Sequence, residues 1–136
     1  MSTAATIHDD VQAAARTLLL TVAGLPAVAW QGKAYQPVKG KPWISEALVP
    51  GPSLPRSLGE GGTISHRIII SLSLHYPPNE GTKALGAMAG ALLQKFKPGT
   101  FIDQGVVMQA ERRSLISEPD WLSTSVLITV VAYTTN

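Results

Sequence analysis

At 136 residues and 14.4 kDa the chain has material for one domain, residues 1–136, and two domains would each be marginal. Hydrophobic residues make up 45% and charged residues 15%, which supplies one core and argues against a disordered or coiled-coil chain. Eleven Lys and Arg against nine Asp and Glu leave +2, too little for a strongly basic nucleic-acid binder, and zero Cys excludes a disulfide scaffold, a zinc ribbon and a cysteine nucleophile.

The first predicted element is a helix over 6–23. Ile7, Val11, Ala14, Leu18, Val22 and Leu25 recur at helical spacing and make one apolar face. Thr6 is placed to cap it with Asp9 as a box-like partner, and Gly24 and Pro26 stop it. A short strand over 27–30 and a turn at Gln31-Gly32-Lys33 follow. Trp43 to Val49 alternates as a strand, with Ile44, Glu46 and Leu48 on one side.

Pro50 to Gly62 holds three Pro and four Gly, and reads as one long loop. Thr63 to Tyr76 is the clearest strand. Ile64, His66, Ile68, Ile70, Leu72, Leu74 and Tyr76 face one way; Ser65, Arg67, Ile69, Ser71, Ser73 and His75 face the other. A second helix is expected over 79–97, with Leu85, Met88, Ala89, Leu92 and Phe96 as its stripe. Phe101-Ile102 is extended. Strands over 106–116 and 121–134 then form an antiparallel hairpin about Glu118-Pro119-Asp120. The order predicts an α+β fold: a mostly antiparallel sheet, two helices packed on one face, and a long Gly/Pro-rich loop.

No arrangement of residues points to catalysis. His8, His66 and His75 have no metal-ligand spacing, and His66 and His75 fall on opposite faces of one strand. No two carboxylates are paired for acid/base work, and no nucleophile elbow or phosphate loop is present. Trp30, Trp43 and Trp121 read as packing residues. Arg112-Arg113 beside Glu111 is the one local charge cluster; it reads as a solvated strand face, or more sharply as an ion pair between subunits or a contact with a nucleic-acid backbone. The protein is expected not to be an enzyme and to need no cofactor or metal. No apolar run approaches the roughly 20 residues of a membrane span. The N-terminus lacks the charged start of a signal peptide, so the chain reads as cytosolic.

The whole layout resembles the tail terminator (tail completion) proteins of long-tailed phages. The resemblance is carried by the Pro42-Trp43 strand, the Leu58-Gly59-Glu60-Gly61-Gly62 loop, the long strand after it, and the small-residue helix from Gly81 to Phe96. It implies a virion structural protein forming a ring, expected to be a hexamer, that caps the tail tube and ends its polymerisation. It also implies head-tail joining at the tail-neck junction, after assembly in the host cytoplasm. Implied partners are copies of the chain itself, the tail-tube protein, and a head-completion or stopper protein, with no membrane. DNA would cross the lumen without sequence readout. Size permits this: 136 residues give a radius of gyration of roughly 14 Å and a sphere about 36 Å across. Six such spheres enclose a hole as wide as one of them.

Within that reading, Leu54, Arg56 and Leu58 are the candidate tail-tube contacts, because apolar residues in a Gly/Pro-rich loop gain nothing when left in water. Arg67, Ile69, Glu111 and Arg113 are the candidate subunit interface, on the second faces of their strands. The alternatives are another neck ring protein, such as a stopper or adaptor, and a small-molecule-binding α+β domain.

Overall fold

The computed structural model describes residues 3–57, 59 and 61–135. Their order is α1 (Ile7–Leu19), β1 (Ala27–Ala29), β2 (Trp43–Pro55), β3 (Thr63–Tyr76), α2 (Lys83–Lys95), β4 (Phe101–Ile102), β5 (Gly105–Arg112), β6 (Ile116–Ser117) and β7 (Leu122–Thr135). The seven strands form one sheet in the order β1-β2-β3-β7-β5-β4, with β6 also paired to β7. Every pairing is antiparallel except β1 with β2. The fold is therefore α+β, with both helices on one face of the sheet.

Strand alternation builds the core directly. Ile68, Ile70, Leu72 and Leu74 of β3 and Val126, Ile128, Val130 and Ala132 of β7 are all buried. They lie in register (Ile70 opposite Ile128, Leu72 opposite Val126), so one continuous apolar surface results. Leu85, Met88, Ala89, Leu92 and Phe96 of the second helix segment are buried as the sequence pattern predicts.

Three local details differ from the sequence reading. In α1 the buried residues are Ile7, Val11, Ala15 and Leu19, an unbroken spacing of four, and Ala14 and Leu18 pack beside them. The Thr6 hydroxyl does not cap the helix. It accepts a hydrogen bond from the Thr3 N–H at 2.9 Å instead. The helix also stops at Leu19, where Thr21 and Val22 donate to Leu18 and Leu19 in a tightened turn. Likewise α2 begins only at Lys83, because Asn79 and Gly81 adopt positive φ and hold the preceding residues in a turn.

The larger correction concerns Pro50 to Gly62. Its first half is strand: β2 runs through Pro55 and pairs with β3 down to Ile64. Two features reconcile proline with a ladder. β1 covers β2 only over Trp43–Ser45, so the rest of that edge is open and needs no donors. A register shift between Pro50 and Ser53 inserts one extra residue. Pro50 opposite Ile68 and Pro55 opposite Ile64 therefore share one phase. The Arg56 N–H donates to Thr63 O at 2.7 Å, so its neighbour Pro55 turns its nitrogen outward, and Pro50 does the same. The prolines thus blunt an exposed edge.

Gly105 fixes the other side of the sheet. A Cβ there would meet Val130 Cγ1 at 2.5 Å and Ile102 O at 3.2 Å. Val130 is β-branched, buried and unable to turn aside. Gly105→Ala is therefore expected to cost about 1–3 kcal/mol by overpacking, read as a lower urea midpoint with an unchanged m-value.

Candidate interaction surface

Residues directly opposite in an antiparallel ladder share a face. The register therefore defines the sheet surface that carries no helix. It comprises Trp43, Ser45, Ala47 and Val49 of β2; Arg67, Ile69, Ser71, Ser73 and His75 of β3; Ser123, Ser125, Leu127, Thr129 and Val131 of β7; and Val106, Gln109 and Glu111 of β5. The centre of this face is serine-rich, with Ser73 and Ser125 hydrogen-bonded at 3.1 Å. Towards the β3 N-terminus it becomes apolar: Val49, Ile69, Leu127 and Val131 are part-exposed, Val49 at 47%.

All four expected interface residues lie on this face, in two groups. Arg67 and Ile69 are neighbours on β3. Glu111 sits opposite Leu127, and Arg113 follows β5 with its N–H on Ser125 O. Glu111 and Arg113 pair at 3.4 Å with both side chains well exposed, a geometry that contributes little stability. They line an open hollow of about 370 Å³ with Arg112, Ser114 and Ile116. Arg112 points to the other face, close to Gly86 of α2.

The expected tube contacts divide differently. Leu54 is opposite Ser65, and Arg56 lies beside Thr63, so both join Arg67 on the helix-free face. Pro52, Leu54, Arg56, Ser65, Arg67 and Val131 line one groove there. Arg56 Nε donates to Ser65 Oγ at 3.0 Å. Among the described residues no carboxylate pairs with Arg56 or Arg67. Leu58 lies outside the described residues. Grouping Leu54 and Arg56 with Arg67 required the strand pairing of 50–55, which the proline and glycine content concealed.

At the far end of the face, Trp43 stacks between Tyr35 and His75, with ring centroids 5.3 and 4.1 Å away, and Trp121 meets it edge-on. This is packing, as the tryptophans' sequence context suggests. His75 hydrogen-bonds Ser123 Oγ at 3.0 Å and Ser45 Oγ at 3.3 Å. On the helix side, His66 bridges Ser53 Oγ at 2.7 Å and Thr134 Oγ1 at 2.8 Å, and His8 meets its ring edge-on. A neutral imidazole donates from one nitrogen and accepts at the other, which fits a hydroxyl on each side.

Burial holds the pKa of His66 below the usual histidine value, and the nearby His8 adds to this. Burial also lowers His75, with Glu118 opposing. Both groups are thus neutral in the fold and bind protons more readily when unfolded. Their contribution is complete above the unfolded pKa of about 6.5 and is lost as pH falls below it. The thermal midpoint is expected to drop between pH 7.5 and 5, and His66→Gln to flatten that dependence; a midpoint constant over this range contradicts the assignment.

Among the described residues, no group of three or more His, Cys, Asp or Glu could hold a metal ion. No helix among them is long and apolar enough to cross a membrane. What the geometry does offer is a serine-lined sheet face with an apolar, cationic end, the surface of a protein that works by contact with other proteins. The sequence profile of a family described as "Phage tail terminator protein" matches residues 6–129, and the chain belongs to that family. It is accordingly a structural component of a phage tail, acting among other tail and head-joining proteins. A solved protein structure superposes with a TM-score of 0.55 over 98% of this chain and 91% of its own, at 17% identity, and shows a shared fold. No functionally curated protein matches the sequence.

Proposed function

We propose that this protein closes into a ring, a hexamer as the family resemblance implies and the subunit size permits, that caps the last ring of the tail tube and ends its growth. The family match over residues 6–129 carries this reading. The helix-free face supports it, since Val49, Ile69, Leu127 and Val131 leave apolar surface part-exposed in the single chain. In this reading Arg67, Ile69, Glu111 and Arg113 lie between subunits. The surface around Leu54, Arg56 and Leu58 faces the tube, with Arg56 where the two contacts meet. The opposite side of the ring receives a head-completion or stopper protein at the tail-neck junction, after assembly in the host cytoplasm. DNA passes through the lumen without sequence readout.

Termination follows from asymmetry. A head-to-tail contact that does not close propagates as a filament. A terminator matches the tube on one side and offers no continuation on the other. Proline-blunted edges suit that role, because they give a following strand no regular ladder.

The test is electron microscopy of tail tubes polymerised with and without the protein. The expected result is tubes of fixed length with an added density at one end. Leu58→Asp removes that density while leaving circular dichroism and the native mass of the assembled ring unchanged. Deletion of residues 54–58 is a poorer probe, because Leu54 and Pro55 belong to β2. Tubes that outgrow their length equally with and without the wild-type protein would refute the proposal.

A further inference from the structure

The groove around Arg67 presents an unmet electrostatic requirement. Among the described residues its lining is Pro52, Leu54, Arg56, Ser65, Arg67 and Val131: two guanidiniums over an apolar floor, with no acid among them. A guanidinium fork is matched by a carboxylate. Gly51 is the device that exposes Arg67. A Cβ at Gly51 would lie 2.9 Å from Arg67 O and 3.1 Å from Arg67 Cβ, so only glycine lets the bulged β2 strand pass beside this arginine.

The chain itself carries a complementary element. The β6–β7 turn holds Glu118 and Asp120, both exposed, and is closed by the Glu118 N–H on Trp121 O at 2.8 Å. Neither acid forms an ion pair among the described residues, although Lys39 lines the same hollow as Asp120. Two acids of the sheet strands are less suited. Glu46 is buried against Arg16, and Glu111 already pairs with Arg113. The turn cannot reach the groove of its own chain. Eleven residue steps, nearly all within β7, take the chain from Asp120 to Val131, about 35 Å along the strand. That is close to the subunit diameter of about 36 Å, so groove and turn lie on opposite flanks, as a head-to-tail contact requires.

We infer that the Arg56–Arg67 groove receives the Glu118-Pro119-Asp120 turn of a neighbouring copy, and that this charge pairing sets the register between adjacent subunits. The inference rests on the ring reading and names the partner group within it. The contact is heterologous, with each copy giving a turn on one flank and a groove on the other.

The experiment is native mass spectrometry across a dilution series on the full chain, with three variants: Arg56→Glu with Arg67→Glu, Glu118→Arg with Asp120→Arg, and all four substitutions combined. Each reversal on its own is expected to raise the concentration needed for assembly about tenfold or more, because like charges then face each other. The combined swap is expected to restore assembly to within about threefold of wild type. Circular dichroism and thermal midpoints close to wild type show that the subunit fold is retained. Assembly unaffected by either reversal, or not restored by the swap, overturns the contact and leaves the ring standing. A wild-type chain that never assembles overturns both.

Discussion

Arg16→Ala is expected to lower the unfolding free energy by about 3 kcal/mol, the lower end of the cost of breaking a buried ion pair. Arg16 on α1 bonds Glu46 on β2 through Nε at 2.8 Å and Nη2 at 3.0 Å. Glu46 also accepts the Gln31 N–H at 3.0 Å. Its side chain is only 2% exposed, whereas that of Arg16 is 31% exposed. Removing the arginine therefore strands a carboxylate in the core. The Glu46 bond also raises the Arg16 pKa above its already high ordinary value, so the guanidinium stays charged throughout the working range. Arg16 further stacks over Trp30, 5.4 Å from the ring centroid, which adds lost packing to the lost charge. Arg16→Met with Glu46→Leu is expected to recover most of the loss, because removing both charges leaves no unpaired charge in the core. Urea melts of these two variants and the wild type test this; an Arg16→Ala midpoint equal to wild type contradicts it.

The second large effect is expected at Phe96. Phe96→Ala should cost about 3–5 kcal/mol. The ring is 1% exposed at the C-terminal end of α2 and lines a small void with Ala15, Leu19, Ile70 and Leu72, where α1, α2 and the sheet meet. Arg16 and Glu46 line the same void. The Arg16→Ala and Phe96→Ala costs are therefore expected to be non-additive when combined. Strict additivity within about 0.3 kcal/mol would show that the two sites do not share a packing unit.

Both predictions bear on how far the sequence alone reads the structure. The β3 strand was legible to its ends, because alternation runs cleanly from Arg67 to Leu74. The α2 stripe was legible from its spacings of three and four. Glu46 was placed on the correct face of its strand, between Ile44 and Leu48. Its partner was not, since Arg16 lies thirty residues earlier and no local pattern links them. The Pro50–Pro55 strand was missed because proline and glycine content counts against a ladder, while the open edge and bulge that permit it are tertiary facts. The parallel β1–β2 pairing is non-local in the same way.

The candidate surface follows this division. Arg67, Ile69, Glu111 and Arg113 were assigned to second faces by alternation alone, and the register brings those faces together into one. Arg56 and Leu54 joined them only through the hidden half of β2. The acidic turn at Glu118-Pro119-Asp120 was visible as a turn, but its charge acquired meaning only beside a groove whose two arginines have no carboxylate partner among the described residues.

The central claim is that this protein acts by assembling, and its most direct test is the mass of the purified wild-type chain under native conditions. The account predicts a species at six times 14.4 kDa that persists on dilution into the working range. A single 14.4 kDa species at every concentration, unchanged when tail tubes are added, would contradict it.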